Sequence, residues 1–140
     1  MQAMLNTAIQ AARRAGDIAI RSLSRLDQLE IKAKARNEYV TQVDQAAEQA
    51  IIESIHKRYP DHAILAEESG RRGSSEFVWI VDPLDGTREY GEARTDWAVH
   101  VALAINGKAE IGAVALPGIP LTLCTERKLE TAAVEGKLRM

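Results

Sequence analysis

Two aspartates, Asp82 and Asp85, stand three residues apart where the apolar run Phe77-Val78-Trp79-Ile80-Val81 gives way to Asp82-Pro83-Leu84-Asp85-Gly86-Thr87. Carboxylate oxygens select magnesium, manganese or calcium over zinc or copper, and magnesium typically works by pairing one or two carboxylates with a substrate phosphate. Phe77 to Val81 read as a buried strand, Pro83 is expected to stop it, and Gly86-Thr87 to let the backbone turn and offer amide N–H groups to an anion. Carboxylates followed by free amides point to phosphate chemistry. A second acidic pair, Glu67-Glu68, precedes Asp82 by fifteen residues.

Plainer roles exist for each of these residues. Aspartate often bonds its own backbone near a chain break, and adjacent glutamates are usually a solvated strand end. Thr41-Gln42-Val43-Asp44 has the spacing of a helix capping box, so Asp44 could serve only the amides of a helix start. Capping and catalysis are compatible at such a position.

The elements that must position these groups follow from periodicity. From Met4 to Leu23, Met4, Leu5, Ala8, Ile9, Ala12, Ala19, Ile20 and Leu23 keep a helical period with Arg13, Arg14, Asp17 and Arg21 mainly between them, an amphipathic helix whose arginines read as a solvated face. A second helix is predicted from about Thr41 to Tyr59, with Val43, Ala47, Ala50, Ile51 and Ile55 inward and Pro60 ending it. Short apolar runs then read as strands: His62 to Ala66, Phe77 to Val81, Trp97 to Ile105, Ala109 to Leu116 and Leu121 to Thr125. Asn106-Gly107 is a strong hairpin signal and makes its two flanking strands antiparallel. Gly70 to Ser75 reads as a polar loop, and Thr87 to Glu92 as the opening of a short helix. His56 and His62 read as ordinary polar positions, and His100 as a satisfied core or edge histidine.

Composition sets the outer bounds. With 140 residues and 46% hydrophobic content the chain can form one domain, expected to cover residues 1–140. A formal charge of −2 does not imply a broad electrostatic grip on nucleic acid. No apolar run reaches membrane-spanning length and Met1-Gln2-Ala3-Met4 lacks the features of a signal peptide, so the expectation is a cytoplasmic protein with no membrane partner. Cys124 is the single cysteine, which excludes an internal disulfide and a cysteine-rich metal site; it reads as a small apolar strand residue.

Asp82-Pro83-Leu84-Asp85-Gly86-Thr87 resembles the signature of the inositol monophosphatase family of magnesium-dependent, lithium-sensitive phosphatases, and Ala66-Glu67-Glu68-Ser69 resembles that family's other acidic element. The first helix, the Asn37 to Asp44 segment, both acidic motifs and the hairpin after Trp97 come in the family's order. The resemblance implies an α/β (α+β) sandwich in which two amino-terminal helices pack on a mainly antiparallel sheet. It implies Mg2+, or alternatively Mn2+, as cofactor, with two-metal water activation as the route to hydrolysis of inositol monophosphate or a similar small phosphate ester. Residue by residue, it implies Glu67, Asp82 and the Leu84 carbonyl as ligands of one cation, and Asp82 with Asp85 as ligands of a second. Asp44 and Thr87 would pair as the catalytic couple that orients and deprotonates the attacking water. The Gly86 and Thr87 amides would hold phosphate oxygens. Glu68 would stand behind the ligands, and Lys34 would lie in a loop that closes over the metals.

Two branches of the family share features with this chain. The first helix and Tyr39-Val40-Thr41-Gln42-Val43-Asp44 resemble the SuhB type, whose members also act in ribosomal RNA transcription complexes. Thr87-Arg88-Glu89-Tyr90 and Asp96-Trp97-Ala98-Val99-His100 resemble the CysQ branch, which removes the 3′-phosphate of 3′-phosphoadenosine 5′-phosphate. The resemblance covers only the amino-terminal half of the family's chain. The Trp-Asp-x-Ala-Ala-Gly-like motif of the second half, whose aspartate completes the second metal site, is not in this sequence. The expected consequences are a metal-site fragment of low or no activity by itself, and an apolar interface covered by a homodimer partner or by the remaining half.

Overall fold

The computed structural model describes residues 2–28, 33–67, 69–86, 90, 97–118 and 121–125. Two helices, α1 (Gln2–Gln28) and α2 (Ala33–Arg58), lead into six strands: β1 (Ala63–Ala66), β2 (Gly70–Arg72), β3 (Phe77–Asp85), β4 (Ala98–Ile105), β5 (Lys108–Leu116) and β6 (Leu121–Cys124). The strands form one sheet in the order β2-β1-β3-β4-β5-β6. Only the β1–β3 pair is parallel; the other four pairs are antiparallel. The expected pair of helices on a mainly antiparallel sheet is therefore present, with one parallel junction that periodicity had not marked.

Small side chains set how closely the helices approach. Ala8, Ala11, Ala12, Ala15 and Ala19 of α1 are all fully buried, as are Ala47, Ile51 and Ile55 of α2. α1 lies against α2, β4 and β5, while α2 lies against β3. At Gly16 a Cβ would come within 2.7 Å of Pro117 Cγ, so glycine at that position lets α1 touch the end of the sheet. Arg14 ties the helices together, its guanidinium donating to the Ala50 carbonyl at 3.2 Å and to Glu53 Oε2 at 3.1 Å. Arg14 is thus more than part of a solvated face, and Ile20, expected inward, is 39% exposed.

The second helix starts earlier than its sequence signal suggested. Thr41 stands well inside α2, where its hydroxyl donates to the Asn37 carbonyl at 2.9 Å. That is the local bond a threonine makes when it cannot cap. The capping-box reading of Thr41 to Asp44 is therefore overturned, and Lys34 falls on the helix and not in a loop. Ala33-Lys34-Ala35-Arg36 contains only good helix formers, which extend α2 toward its amino end.

Two further corrections bear on the sheet. Gly70 to Arg72, read as loop, forms the edge strand β2, paired with β1 from Ile64↔Arg72 to Ala66↔Gly70. Pro83 does not end its strand, because β3 runs on to Asp85 through a register shift. The Asn106-Gly107 hairpin is as expected, with both residues at positive φ, 51° and 79°, as a tight β4–β5 turn requires.

His62 is not an ordinary polar position. Its ring lies nearly parallel to Tyr59 on one side, centroids 4.7 Å apart, and to Phe77 on the other at 4.5 Å. Its Nδ1 accepts a hydrogen bond of 3.0 Å from the indole N–H of Trp79. Trp79 is fully buried, and an acceptor for its N–H offsets the cost of taking that group out of water. Desolvation pushes the His62 pKa below its usual value, opposed in part by the nearby Asp61 charge. Neutral imidazole is the form that can accept the bond.

Candidate metal and phosphate site

Along β3, side chains alternate between the helix-covered face and the open face of the sheet. Trp79 and Val81 point to the helices; Ile80 and Asp82 point the other way, as their burial shows. In an uninterrupted strand Asp85 would fall on the opposite face from Asp82, because it stands an odd number of positions, three, further along the chain. The pairing with β4 passes from Asp82↔His100 to Asp85↔Ala98, so β3 advances three residues while β4 advances two. One extra residue in β3 makes a bulge, and the bulge returns Asp85 to the face of Asp82. Proline is tolerated at such a position because a bulge leaves an amide outside the ladder.

Glu67 arrives from the neighbouring strand. The parallel pairing of β1 with β3 ends at Ala66↔Val81, so Glu67 and Asp82 are the next residues out at the carboxyl ends of adjacent parallel strands. Glu67 itself lies in the turn that follows β1 and is exposed. The Ser69 amide just beyond donates to the Glu48 carboxylate at 3.2 Å, which fastens this turn to α2. Glu48 is only 4% exposed, and nothing in its sequence surroundings distinguished it from a surface glutamate.

Asp44 is likewise buried, on the turn of α2 that carries Val40 and Val43. Those two valines share an apolar cluster with Ala19, Leu84, Tyr90 and Trp97, so the Asp44 turn abuts the bulge. Tyr90 anchors the cluster, its hydroxyl donating to the Ala19 carbonyl at 2.7 Å and its ring meeting Trp97 edge-on at 4.9 Å. Burial drives the Tyr90 pKa well above the usual phenol range, reinforced by Tyr39 and opposed by a hydrogen bond from Ser22. Gly86 has φ +85°, which turns the chain directly after Asp85, and its carbonyl accepts the Tyr90 amide at 2.9 Å. Thr87 and Glu68, and most of the expected short helix, lie outside the described residues, as does the side chain of Lys34.

The chemistry of the donor set fits a hard cation. Asp82 Oδ1 is buried and meets no hydrogen-bond donor among the described residues. A buried carboxylate oxygen without a donor is costly and calls for a positive charge. Among the described residues no three His, Cys, Asp or Glu side chains converge into a ready-made cage. Magnesium does not require one, since it keeps several waters and takes one or two carboxylates together with substrate oxygens. Glu67, Asp82 and Asp85, with the Leu84 carbonyl between the aspartates, are the groups that would hold it.

His100 was expected to be a satisfied core or edge residue. It is satisfied, and its partner is a candidate ligand: it pairs in register with Asp82, and its Nε2 lies 3.1 Å from Asp85 Oδ2. Its position in an apolar strand concealed this, since the contact depends on the bulge.

Comparison with known proteins places the family and the fold. The profile of the inositol monophosphatase family matches residues 1–140. A Pseudomonas aeruginosa protein named Nus factor SuhB is 41% identical over 141 aligned positions, which take in 98% of this chain and 52% of that one. Among solved structures, inositol monophosphatase from Anabaena (Nostoc) superposes with a TM-score of 0.77 at 32% identity, covering 91% of this chain and 45% of its own. SaIMPase-II, solved once with 2′AMP and once with inositol monophosphate, is 29% identical, with TM-scores of 0.68 and 0.69. Each comparison covers 89% of this chain, and 45% and 44% of the two solved chains. The chain thus spans about half the length of the relatives it matches.

Proposed function

The chain belongs to the inositol monophosphatase family, and on that premise we propose that it supplies the cation-holding part of a magnesium-dependent phosphomonoester hydrolase acting on inositol monophosphate or a similar small phosphate ester. The observation that carries this reading is the bulge that sets Asp82 and Asp85 on one face, with Asp82 Oδ1 buried and meeting no donor among the described residues. When bound, the cation would offset charge on the phosphate and lower the pKa of water, the two needs of a reaction with a very high barrier. The chain's own groups do the rest. Gly86 turns the backbone so that amides beyond the strand can meet phosphate oxygens. Asp44, held beside the bulge on α2, is placed to accept a proton from an attacking water, with Thr87 as its proposed partner. The Leu84 side chain, 2% exposed, anchors the loop between the two aspartates in the apolar cluster.

A second reading keeps the chemistry and changes the ester. Removal of the 3′-phosphate of 3′-phosphoadenosine 5′-phosphate is favoured by the place of His100 at the site, since it belongs to the Asp96 to His100 stretch that resembles the CysQ branch. That SaIMPase-II has been solved with both 2′AMP and inositol monophosphate supports a site open to either kind of ester. The test is phosphate release from inositol 1-phosphate and from 3′-phosphoadenosine 5′-phosphate side by side, with and without Mg2+, with Asp82→Asn as control. Magnesium-dependent release lost in the variant establishes the hydrolase, and the preferred ester selects the branch. If the folded protein releases phosphate from neither, the hydrolase reading of this chain is withdrawn. A role in a transcription complex, suggested by the names of the SuhB relatives, would then be tested as salt-sensitive RNA binding that survives Asp82→Asn.

A further inference from the structure

We propose that His100 is a positioning residue for the cation site, holding Asp85 in the orientation that presents its second oxygen to the metal; this rests on the magnesium-site reading above. His100 Nε2 lies 3.1 Å from Asp85 Oδ2. The imidazole reaches across the bulge, from the register position opposite Asp82 to the carboxylate of Asp85.

Stability does not account for this contact. The His100 and Asp85 side chains are 42% and 61% exposed, and surface ion pairs of this kind contribute about 0–1 kcal/mol. An exposed aspartate at a strand end has several open rotamers, and a cation needs one of them. A donor on Oδ2 selects that rotamer while leaving Oδ1 available. A hydrogen-bond partner of this sort behind a metal ligand typically changes metal affinity by about 10–100-fold when removed. A histidine can fill the role as neutral imidazole, adding no positive charge to compete with the cation. Asp82 is still paired in register with β4, opposite His100, whereas Asp85 lies beyond the bulge at the end of the strand.

The experiment is calorimetric titration of the purified protein with MgCl2 in the absence of substrate, comparing wild type, Asp82→Asn, His100→Ala and His100→Gln, with the melting temperature of each metal-free form. Magnesium affinity is expected to fall about 10-fold in His100→Ala. Most of it should return in His100→Gln, whose amide places an N–H near the Nε2 position, and the metal-free melting temperatures should agree. Equal affinity in wild type and His100→Ala overturns the proposal, as does an equal loss in both variants, which would make the imidazole nitrogen itself a ligand. Failure of the underlying reading looks different: wild type would then bind no magnesium, or Asp82→Asn would bind as well as wild type.

Discussion

On the helix-covered side of the sheet, Trp79, Val81, Val101 and Leu103 are at most 2% exposed, whereas Leu65 and Ile80, which alternate with them on β1 and β3, are 42% and 43% exposed. One strand, β3, makes both surfaces. Its Trp79 and Val81 fill the core, and its Ile80, Asp82 and, after the bulge, Asp85 face outward. The covered face is packed, and the buried Trp79 indole finds its acceptor there in His62. The open face carries the candidate cation ligands Asp82 and Asp85, together with apolar surface at Leu65 and Ile80. Energy and function are therefore separated by a single residue step along one strand, and substitutions on the two faces should fail in different ways.

The largest contrast lies between Asp82→Asn and Trp79→Ala. The first should abolish magnesium binding and magnesium-dependent phosphate release while leaving the melting temperature equal or higher, because it replaces a carboxylate whose buried Oδ1 meets no donor among the described residues. The second should cost about 3–5 kcal/mol in urea unfolding, the usual effect of truncating a fully buried aromatic, and it also strips His62 of its donor.

A smaller effect tests the close approach on the covered side. Gly16→Ala gains about 1 kcal/mol of helix propensity but forces a methyl to 2.7 Å from Pro117 Cγ, and overpacking of this kind costs about 1–3 kcal/mol. A net loss of roughly 1 kcal/mol is expected, read as a lower urea midpoint at unchanged slope. A gain would mean that α1 can move off the sheet without penalty.

The covered face should also respond to pH through His62. Its pKa in the folded chain lies below the usual 6.5, so the unfolded chain binds the proton more readily. The stability from neutral His62 is thus fully present above about 6.5 and is lost as pH falls through the lower folded value. Melting temperatures between neutral and mildly acid pH should fall more for wild type than for His62→Phe. Parallel profiles would show that the stacked imidazole does not titrate with folding. The smallest effect is expected next door: Ile80→Ser, one residue from Trp79 but facing outward, should change stability by about 0.5 kcal/mol or less, as exposed sites do.

The helices, most strands and the β4–β5 hairpin were legible in the sequence because each is a local pattern. A 3.6-residue period, a run of β-branched residues and Asn106-Gly107 all act within a few residues of themselves. The acidic motif was legible for the same reason, as Asp82, Asp85 and Glu67 are chemically distinct and closely spaced. Local rules misled where a long-range contact decided the outcome. Pro83 is a strand breaker by itself, yet pairing with β4 carries β3 past it. Thr41 has the residue type and spacing of a cap, yet helix formers upstream extend α2 beyond it. His62 and His100 resemble other polar residues in a one-dimensional listing, and their partners are 17 and 15 residues away.

The sequence by itself determined which atoms are available: hard oxygen donors, a turn-forming glycine after them and two amphipathic helices able to cover one side of a sheet. Only the tertiary structure decided which of those atoms share a face. Side-chain direction along a strand follows parity, and parity is set by the register with neighbouring strands. A single extra residue between Asp82 and Asp85, defined only by their pairing with His100 and Ala98, is what turns two nearby aspartates into one candidate site.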